Sequence, residues 1–278
     1  MSPPRPIVAL LTDFGTRDHY VASMKGVILG LCPEATLIDV SHEIPPQDVL
    51  AGALTLEACY RDFPEGAIYL VVVDPGVGSS RRRLAAEGAG YRFVAPDNGV
   101  LTGVFADAPP ERLVELSGTR YARPTVSRTF EGRDLFAPAA GWLARGLDLA
   151  ALGRPIGDYL RIEIPAPAAG SDGLSGEVLL IDRFGNLITN IRRETLVEWA
   201  ASREVAVRAG DEPIGPVVKA YAEVERGALC ALFGSTERLE ISVNGGSAAD
   251  RLGLGRGARV VVSPVGAPRP TGPEAGRE

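Results

Sequence analysis

The sequence predicts two domains, an α/β domain followed by a smaller β-rich domain. The chain has 278 residues, and a single domain usually has about 150. Short apolar runs alternate with helical periods in the first half, whereas short β-type segments dominate the second. We expect the first domain to span residues 1–164, a linker to span 165–173, and the second domain to span 174–278 with a flexible tail.

In the first half, apolar runs that predict buried strands alternate with apolar positions at helical spacing. The predicted strands are 7–11, 37–40, 67–73 and 91–95, and the predicted helices cover about 21–31, 49–60 and 133–147. This alternation is typical of a largely parallel sheet with helices on both faces. Such sheets bind ligands at the carboxyl ends of their strands, where Asp13 and Asp74 lie.

The second half has a different character. Residues 165–173 are rich in Pro, Gly, Ser and Ala and show no periodicity, which predicts the linker. Beyond it, the predicted strands are 178–181, 187–191, 205–207, 229–233, 239–243 and 260–262, with one helix near 194–200. Short strands at close spacing predict a small antiparallel sandwich or barrel. The tail from Pro264 is rich in Pro and Gly and is expected to fray.

Composition and charge exclude several classes of protein. The net charge is −6, and Arg81-Arg82-Arg83 is the one dense basic cluster, so we expect no nucleic-acid partner. No apolar run approaches the ~18 residues of a membrane span, so we expect no membrane partner. The cysteines (Cys32, Cys59 and Cys230) are odd in number and widely spaced, which indicates reduced thiols. With no visible export signal, these features predict a cytoplasmic protein.

Four segments combine polar residues with Gly or Pro at strand ends: 12–15, 74–81, 129–134 and 182–186. Each alone is explained by turns and helix caps, but four in one chain favour a functional site. Familiar cofactor motifs are incomplete or absent. Two histidines, His19 and His42, are too few for a histidine-rich zinc site and disfavour a histidine-based triad. An all-carboxylate Mg²⁺ site on Asp13, Asp74 and Asp97 is an open alternative.

A series of spaced motifs points to one family. In chain order they are 12–18 (TDFGTRD), 24–26 (MKG), 74–78 (DPGVG), 96–99 (PDNG), 130–134 (FEGRD), 182–186 (DRFGN), 234–235 (GS) and 239–241 (LEI). With them the chain resembles, from about residue 7 to 262, the S-adenosyl-L-methionine (SAM) hydrolase (adenosine-forming) family. These enzymes are also called SAM hydroxide adenosyltransferases and are relatives of the fluorinase and chlorinase enzymes.

The resemblance implies an α/β N-terminal domain, a barrel-like C-terminal domain and a homotrimer. SAM would be the substrate, held between the N-terminal domain of one subunit and the C-terminal domain of its neighbour, and no metal or cofactor is expected. Asp13 would hold the ribose hydroxyls, and Phe130 would wall the reaction centre. The residues implied near the methionine end are Asp18, Asp182 and Ser235. Those implied at the adenine site are Phe184, Asn186, Tyr221, Asn244 and the Gly245 backbone.

The hydrolases of this family resemble one another in an Asp–Arg–His trio that holds the attacking water or hydroxide. Here the three positions are Asp74, Arg81 and Glu131, whereas the halogenases carry a Tyr in place of Asp74. Glu131 gives the trio one more negative charge than His does, which disfavours a halide nucleophile. Glu131 either joins the trio, by accepting a hydrogen bond from Arg81 or the water or by sharing a proton with Asp74, or pairs in solvent with Arg133 or Arg128.

These features predict hydrolysis of SAM to adenosine and L-methionine. Displacement at C5′ of a sulfonium releases a neutral thioether, so the leaving group needs no general acid. The reaction needs a water held in line, a carboxylate base and a nearby guanidinium, and Asp74 and Arg81 supply the last two. Two alternatives stay open: a SAM-dependent halogenase that makes 5′-halo-5′-deoxyadenosine, and a slow SAM- or adenosine-binding protein in which Glu131 has cost the chemistry.

Overall fold

The computed structural model describes residues 5–117, 119–171 and 173–265. The chain divides into two compact units, Met1–Glu163 and Ile164–Glu278. The predicted flexible tail falls, beyond residue 265, outside the described residues. No helix in the described ranges is long and apolar enough to cross a membrane.

The first unit is built on a seven-stranded mixed sheet with the order β2-β1-β3-β5-β4-β6-β7. The strands are β1 (Ile7–Thr12), β2 (Thr36–Ser41), β3 (Ile68–Val72), β4 (Arg83–Gly88), β5 (Tyr91–Pro96), β6 (Arg112–Leu116) and β7 (Gly153–Pro155). The four predicted strands β1, β2, β3 and β5 are parallel to one another. The other three add an antiparallel half to the sheet.

Helices cover both faces of this sheet, which confirms the predicted α/β class. Their bounds are α1 (Tyr20–Leu31), α2 (Val49–Cys59), α3 (Thr102–Asp107) and α4 (Ala137–Ala144). Val8 and Leu10 of β1 share one buried cluster with residues of α1 and α4. Side chains alternate along a strand, so Tyr69 points to the other face, where its ring stacks on Phe93 with centroids 5.4 Å apart. Phe93 also contacts Tyr60, directly after α2.

The predicted helix over 133–147 begins differently from an ordinary α-helix. Its first turn, Gly132–Phe136, is π-helical, and α4 follows it. The helix ends at Ala144, and Gly146 has a φ of +88°, a conformation that glycine adopts readily.

The second unit is a β-barrel, one of the two predicted alternatives. Its strands are β8 (Ala168–Gly170), β9 (Gly173–Ile181), β10 (Leu187–Arg192), β11 (Val205–Ala209), β12 (Glu212–Val218), β13 (Leu229–Phe233), β14 (Arg238–Val243) and β15 (Arg259–Pro264). The sheet order is β10-β14-β13-β12-β11-β15-β9-β8, and pairing of β9 with β10 closes β9–β15 into a ring. Apolar side chains such as Val178, Leu187 and Val260 fill its core. The helices of this unit are α5 (Arg193–Ala200) and α6 (Ala248–Leu252).

Part of the predicted linker is a strand. Ala168–Gly170, inside the segment 165–173, forms β8 and pairs antiparallel with Gly173–Ser175 at the start of β9. Its three residues are small and exposed, so they carry no apolar alternation from which a strand is predicted. Backbone hydrogen bonds to the long strand β9 therefore stabilise β8, whose side chains are not buried.

Candidate active site

Two aspartates lie at the carboxyl ends of neighbouring parallel strands, as expected. Thr12, the last residue of β1, is in register with Val72, the last residue of β3, so Asp13 and Asp74 both follow the same edge of the sheet. Asp13 Oδ2 accepts a hydrogen bond of 2.7 Å from the backbone N–H of Gln47. This hydrogen bond lowers the pKa of Asp13, but partial burial raises it more, and the charge of Asp74 adds to the increase.

Asp74, Arg81 and Glu131 come together in a buried ionic contact. Arg81 Nε donates to Asp74 Oδ1 at 2.7 Å, and Arg81 Nη2 donates to both Asp74 Oδ2 and Glu131 Oε2. The side chains of Asp74, Arg81 and Glu131 are 4%, 7% and 3% exposed. Burial alone lowers the pKa of Arg81, but the hydrogen bonds and charges of the two carboxylates raise it, and the net shift is upward. The guanidinium therefore stays cationic in a site with little water.

Glu131 belongs to this contact and not to a solvent pair. Of the two alternative partners, Arg133 binds Asp134 with an Nε–Oδ1 distance of 2.7 Å, and Arg128 donates to the carbonyl of Gly78 at 3.1 Å. Glu131 directly precedes the π-helical turn Gly132–Phe136. Such turns are frequent at functional sites, because the extra residue changes the direction of nearby side chains.

Arg83, which was not predicted from the sequence, is a fourth member of this contact. Arg83 Nη2 donates to Glu131 Oε1, and its Nε lies 3.2 Å from Glu131 Oε2. The intervening Arg82 instead binds Asp97 and Asp158. Consecutive side chains of an extended segment point to opposite sides, so alternate arginines of the 81–83 run share a side. This alternation along the 81–83 run, which ends in the first residue of β4, is the signal that could have found Arg83.

We call Asp74, Arg81, Glu131 and Arg83 the ionic cluster. Two carboxylates and two guanidinium groups leave it without net formal charge, which removes the excess negative charge of the predicted trio. Arg81 Nη1 is buried and has no hydrogen-bond partner among the described residues. A buried, unsatisfied N–H of a guanidinium is a strong donor for an oxygen ligand such as water or hydroxide.

The loop that joins Asp74 to Arg81 packs closely against the backbone of Arg128 at Gly78. This residue has a φ of +77°, and a Cβ atom built on it would lie 2.5 Å from the carbonyl oxygen of Arg128. Glycine alone fits this close approach without displacing a backbone. The contact ties the loop to the segment that leads to Glu131.

Gly78→Ala is therefore expected to reduce the free energy of unfolding by about 1–3 kcal/mol, because it combines backbone strain with a steric clash. Gly146→Ala is the matched control, since Gly146 also has a positive φ, +88°, but nothing lies within 4 Å of its Cβ position. Denaturant unfolding of both variants measures the difference. Equal losses of stability in the two variants would show that the Arg128 contact contributes nothing.

Phe130 and Asp18 have different surroundings. Phe130 is buried and packs edge-on against Tyr20 and Phe14, with ring centroids 5.1 and 6.1 Å away. It directly precedes Glu131, so the sequence places this aromatic group beside the ionic cluster. Asp18 is exposed in the bend that leads into α1.

In the second unit, Asp182 organises the turn between β9 and β10. Asp182 Oδ1 accepts hydrogen bonds of 2.9 Å from the N–H groups of Phe184 and Asn186, and Oδ2 accepts one of 2.8 Å from Asn186 Nδ2. This Asx-type turn leaves the Phe184 side chain 75% exposed. A large aromatic side chain held outward by a rigid turn is available for a ligand.

Phe184 forms one wall of an open pocket of about 480 Å³ in the second unit. The lining residues are Phe184, Asn186, Tyr221, Val243, Gly245 and Gly246, which include four of the five residues implied for adenine. Aromatic faces, an amide and exposed backbone suit a planar heterocycle. The fifth residue, Asn244, does not line the pocket, and its Nδ2 donates to the Val224 carbonyl at 2.8 Å. Ser235 is exposed in the turn between β13 and β14.

A buried carboxylate supports this pocket. The Tyr221 hydroxyl donates to Glu240 Oε1, and Ser242 Oγ also lies within hydrogen-bond distance of it. Burial raises the pKa of Glu240, and the charge of Asp182 adds to the increase. Glu240 lies in the motif 239–241, although no role for it was predicted from the sequence.

The structure does not assemble the alternative metal site. Asp97 is occupied by Arg82 Nε at 2.7 Å and by the N–H of Leu160 at 2.7 Å, and Asp74 is occupied by Arg81. Within the described ranges, no group of three or more His, Cys, Asp or Glu side chains is arranged to hold a metal ion.

Comparison with known proteins identifies the family. The chain matches the models of the SAM hydroxide adenosyltransferase N-terminal domain over residues 8–153 and C-terminal domain over residues 176–261. It is 40% identical to an (R)-S-adenosyl-L-methionine hydrolase of Thermus thermophilus, covering 92% of this chain and 98% of that protein. It is 35% identical to a fluorinase of Actinoplanes sp., covering 73% and 77%.

A solved structure is also similar. The crystal structure of an uncharacterized conserved protein from Thermotoga maritima matches with a TM-score of 0.86 at 35% identity, covering 92% of this chain and 99% of that one. The two domain models together span most of the chain, and the hydrolase relative is similar over nearly its whole length. The chain therefore belongs to the SAM hydroxide adenosyltransferase family.

Proposed function

We propose that this protein hydrolyses SAM to adenosine and L-methionine. The observation that carries the proposal is the buried contact of Asp74, Arg81 and Glu131, with a guanidinium N–H of Arg81 that has no acceptor among the described residues. Relatives that carry the name (R)-S-adenosyl-L-methionine hydrolase, at up to 40% identity among those compared, support the same reaction. The fluorinase relatives make halogenation the competing reaction.

In the proposed reaction, a water oxygen bonds to C5′ of SAM while the C5′–S bond breaks. The electron pair of that bond goes to sulfur, which leaves as the neutral thioether of methionine. Asp74 accepts the proton of the attacking water and releases it to solvent. Arg81 donates Nη1–H to the water and stabilises its hydroxide character. The atoms and charges balance without a cofactor.

We assign the substrate contacts to residues of the two units. Asp13 binds the ribose hydroxyls and Phe130 excludes water at the reaction centre. Phe184 and Tyr221 bind adenine between aromatic faces, with Asn186, Asn244 and the Gly245 backbone. Asp18, Asp182 and Ser235 bind the methionine end. We further propose a homotrimer in which one subunit's N-terminal domain and its neighbour's C-terminal domain hold one SAM molecule.

The compartment and the sulfonium stereochemistry are further parts of the proposal. The three cysteines are free thiols, which supports a cytoplasmic location. The names of the hydrolase relatives specify the R configuration. We therefore propose that the R epimer at sulfur is the preferred substrate. Separate incubation with each epimer measures this preference as a ratio of kcat/KM values.

The deciding experiment incubates the purified protein with SAM in ¹⁸O water, with and without chloride or fluoride. We expect labelled adenosine and methionine at a rate independent of halide. Formation of 5′-halo-5′-deoxyadenosine would indicate a halogenase instead. Intact SAM binding without any turnover would indicate a binding protein.

The pKa of Asp13 leads to a pH prediction for substrate binding. Because burial raises this pKa, Asp13 takes up its proton at a higher pH than an ordinary aspartate, whose pKa is about 3.9. The protonated form has lost the charged acceptor for the ribose hydroxyls, so KM is expected to rise as the pH falls, with a midpoint above that value. KM measured against pH for the wild type and for Asp13→Asn tests this. The same acid limb in both proteins would assign it to another group.

A further inference from the structure

We propose that Arg83 is a positioning residue for the reaction. It holds Glu131 as a charged acceptor for Arg81, so that Glu131 and Arg83 together replace the histidine of the family's trio. The inference rests on the proposed hydrolysis of SAM. It assigns a role to an arginine outside that trio and explains how this chain accommodates Glu131.

The geometry places Glu131 between two guanidinium groups. Its Oε2 accepts from Arg81 Nη2, while its Oε1 accepts from Arg83 Nη2, and Arg83 Nε lies 3.2 Å from Oε2. Arg83 therefore binds the carboxylate through two of its three nitrogens, Nε and Nη2, an arrangement that fixes the carboxylate plane. The fixed plane of the Glu131 carboxylate in turn sets the direction from which Glu131 Oε2 contacts Arg81 Nη2.

The charge balance requires a second cation. Glu131 and Asp74 are both more than nine-tenths buried, and Arg81 is shared between them. With Arg81 alone, the buried contact would hold one uncompensated negative charge, which is costly away from water. Arg83, 26% exposed, supplies the missing positive charge and keeps part of its own hydration.

The consequence for catalysis acts through Arg81. Arg81 Nη2 is fixed by Asp74 and Glu131 together, which leaves Nη1 as the buried donor for the nucleophile. Without Arg83, the plane of the Glu131 carboxylate is no longer fixed, and the hold of Glu131 on Arg81 Nη2 is weakened. Conversely, a histidine at position 131 would lie beside two guanidinium groups, whose positive charges would disfavour its cationic form. Its ring would also not hold Arg81 in the present orientation.

The test is a double-mutant cycle with Arg83→Ala, Glu131→His and the two combined, together with Arg83→Gln and Arg83→Lys. The assay measures kcat, KM and the melting temperature of each variant. Arg82→Gln is the matched control, because it removes the same charge one residue away, on the side that binds Asp97 and Asp158. Arg83→Gln retains polarity and provides the same comparison where Arg83→Ala does not fold.

We expect Arg83→Ala and Arg83→Gln to lower kcat by ~10–10²-fold with KM within about threefold. Arg83→Lys keeps the charge but not the paired donors and should recover part of the rate. Glu131→His should lower kcat when Arg83 is present, whereas the variant that combines it with Arg83→Ala should have a higher kcat than Arg83→Ala alone. Arg82→Gln should leave kcat unchanged.

Two results would overturn the inference while the wild type is active. One is a kcat of Arg83→Gln within about twofold of the wild type. The other is a loss of kcat that follows the folded fraction alone, with independent effects of positions 83 and 131. An inactive wild type would instead overturn the proposed function, and the role of Arg83 with it, so the two failures are distinguishable.

Discussion

Asp74→Asn is expected to lower kcat for SAM hydrolysis by ~10²-fold or more, because the amide cannot accept the proton of the attacking water. The substitution preserves the shape of the side chain and one acceptor oxygen for Arg81, which binds Asp74 through Nε and Nη2. The proposed ribose and adenine contacts are made by other residues, so SAM affinity should change much less than kcat. Single-turnover rates and equilibrium binding of SAM separate the two effects.

Asp97→Asn is the matched control for this prediction. Asp97 is a buried aspartate that also pairs with an arginine, Arg82, but it lies outside the ionic cluster. Its replacement should reduce stability without a comparable loss of kcat. Unchanged turnover in Asp74→Asn would exclude Asp74 as the base.

Arg81→Met is expected to have the largest effect on both stability and rate. It leaves the buried carboxylates of Asp74 and Glu131 without the cation that they share, and breaking a buried ion pair in this way costs about 3–5 kcal/mol. The lost donor to the nucleophile should lower kcat by a further ~10²-fold or more.

Denaturant unfolding of the wild type and Arg81→Met measures the loss of stability, and steady-state assays of the folded variant measure kcat. The variant Arg81→Lys keeps the charge and should recover stability more than it recovers kcat, since lysine lacks the planar pair of donors. If Arg81→Lys were no more stable than Arg81→Met, the assigned electrostatic role would be contradicted.

The parallel part of the first sheet could be predicted because β1 and β3 are apolar runs and β2 and β5 each contain a single charged residue. The strands β4 and β6 were missed, since charged residues occur in them and hide the apolar pattern; β4 contains Arg83 and Glu87. In the barrel, β12 was missed because Pro213, Gly215 and Pro216 normally argue against a strand. A register shift in its pairing with β11 accommodates these residues. Such compensation depends on a partner strand and is not encoded locally.

The residues of the candidate site also differ in how far the sequence alone predicts them. The positions of Asp13 and Asp74 followed from strand ends, which are local features, whereas the other assignments rested on resemblance. The contact of Arg83 with Glu131 joins residues 48 positions apart in the chain and depends on which side of the 81–83 run faces the loop. Position in sequence alone does not specify that pairing, although alternation in an extended segment restricts it to two choices.

The neutrality of the ionic cluster has a consequence for how SAM is attracted to the protein and how the products leave it. SAM carries one more positive than negative charge, and the chain as a whole carries a net charge of −6, so its long-range field attracts the substrate. Adenosine is uncharged and methionine is a zwitterion, so hydrolysis abolishes that attraction. Because the cluster adds no net charge of its own, the attraction for SAM comes from charges outside the cluster, including Asp13, Asp18 and Asp182, and the chemical step itself removes the charge on which that attraction acts.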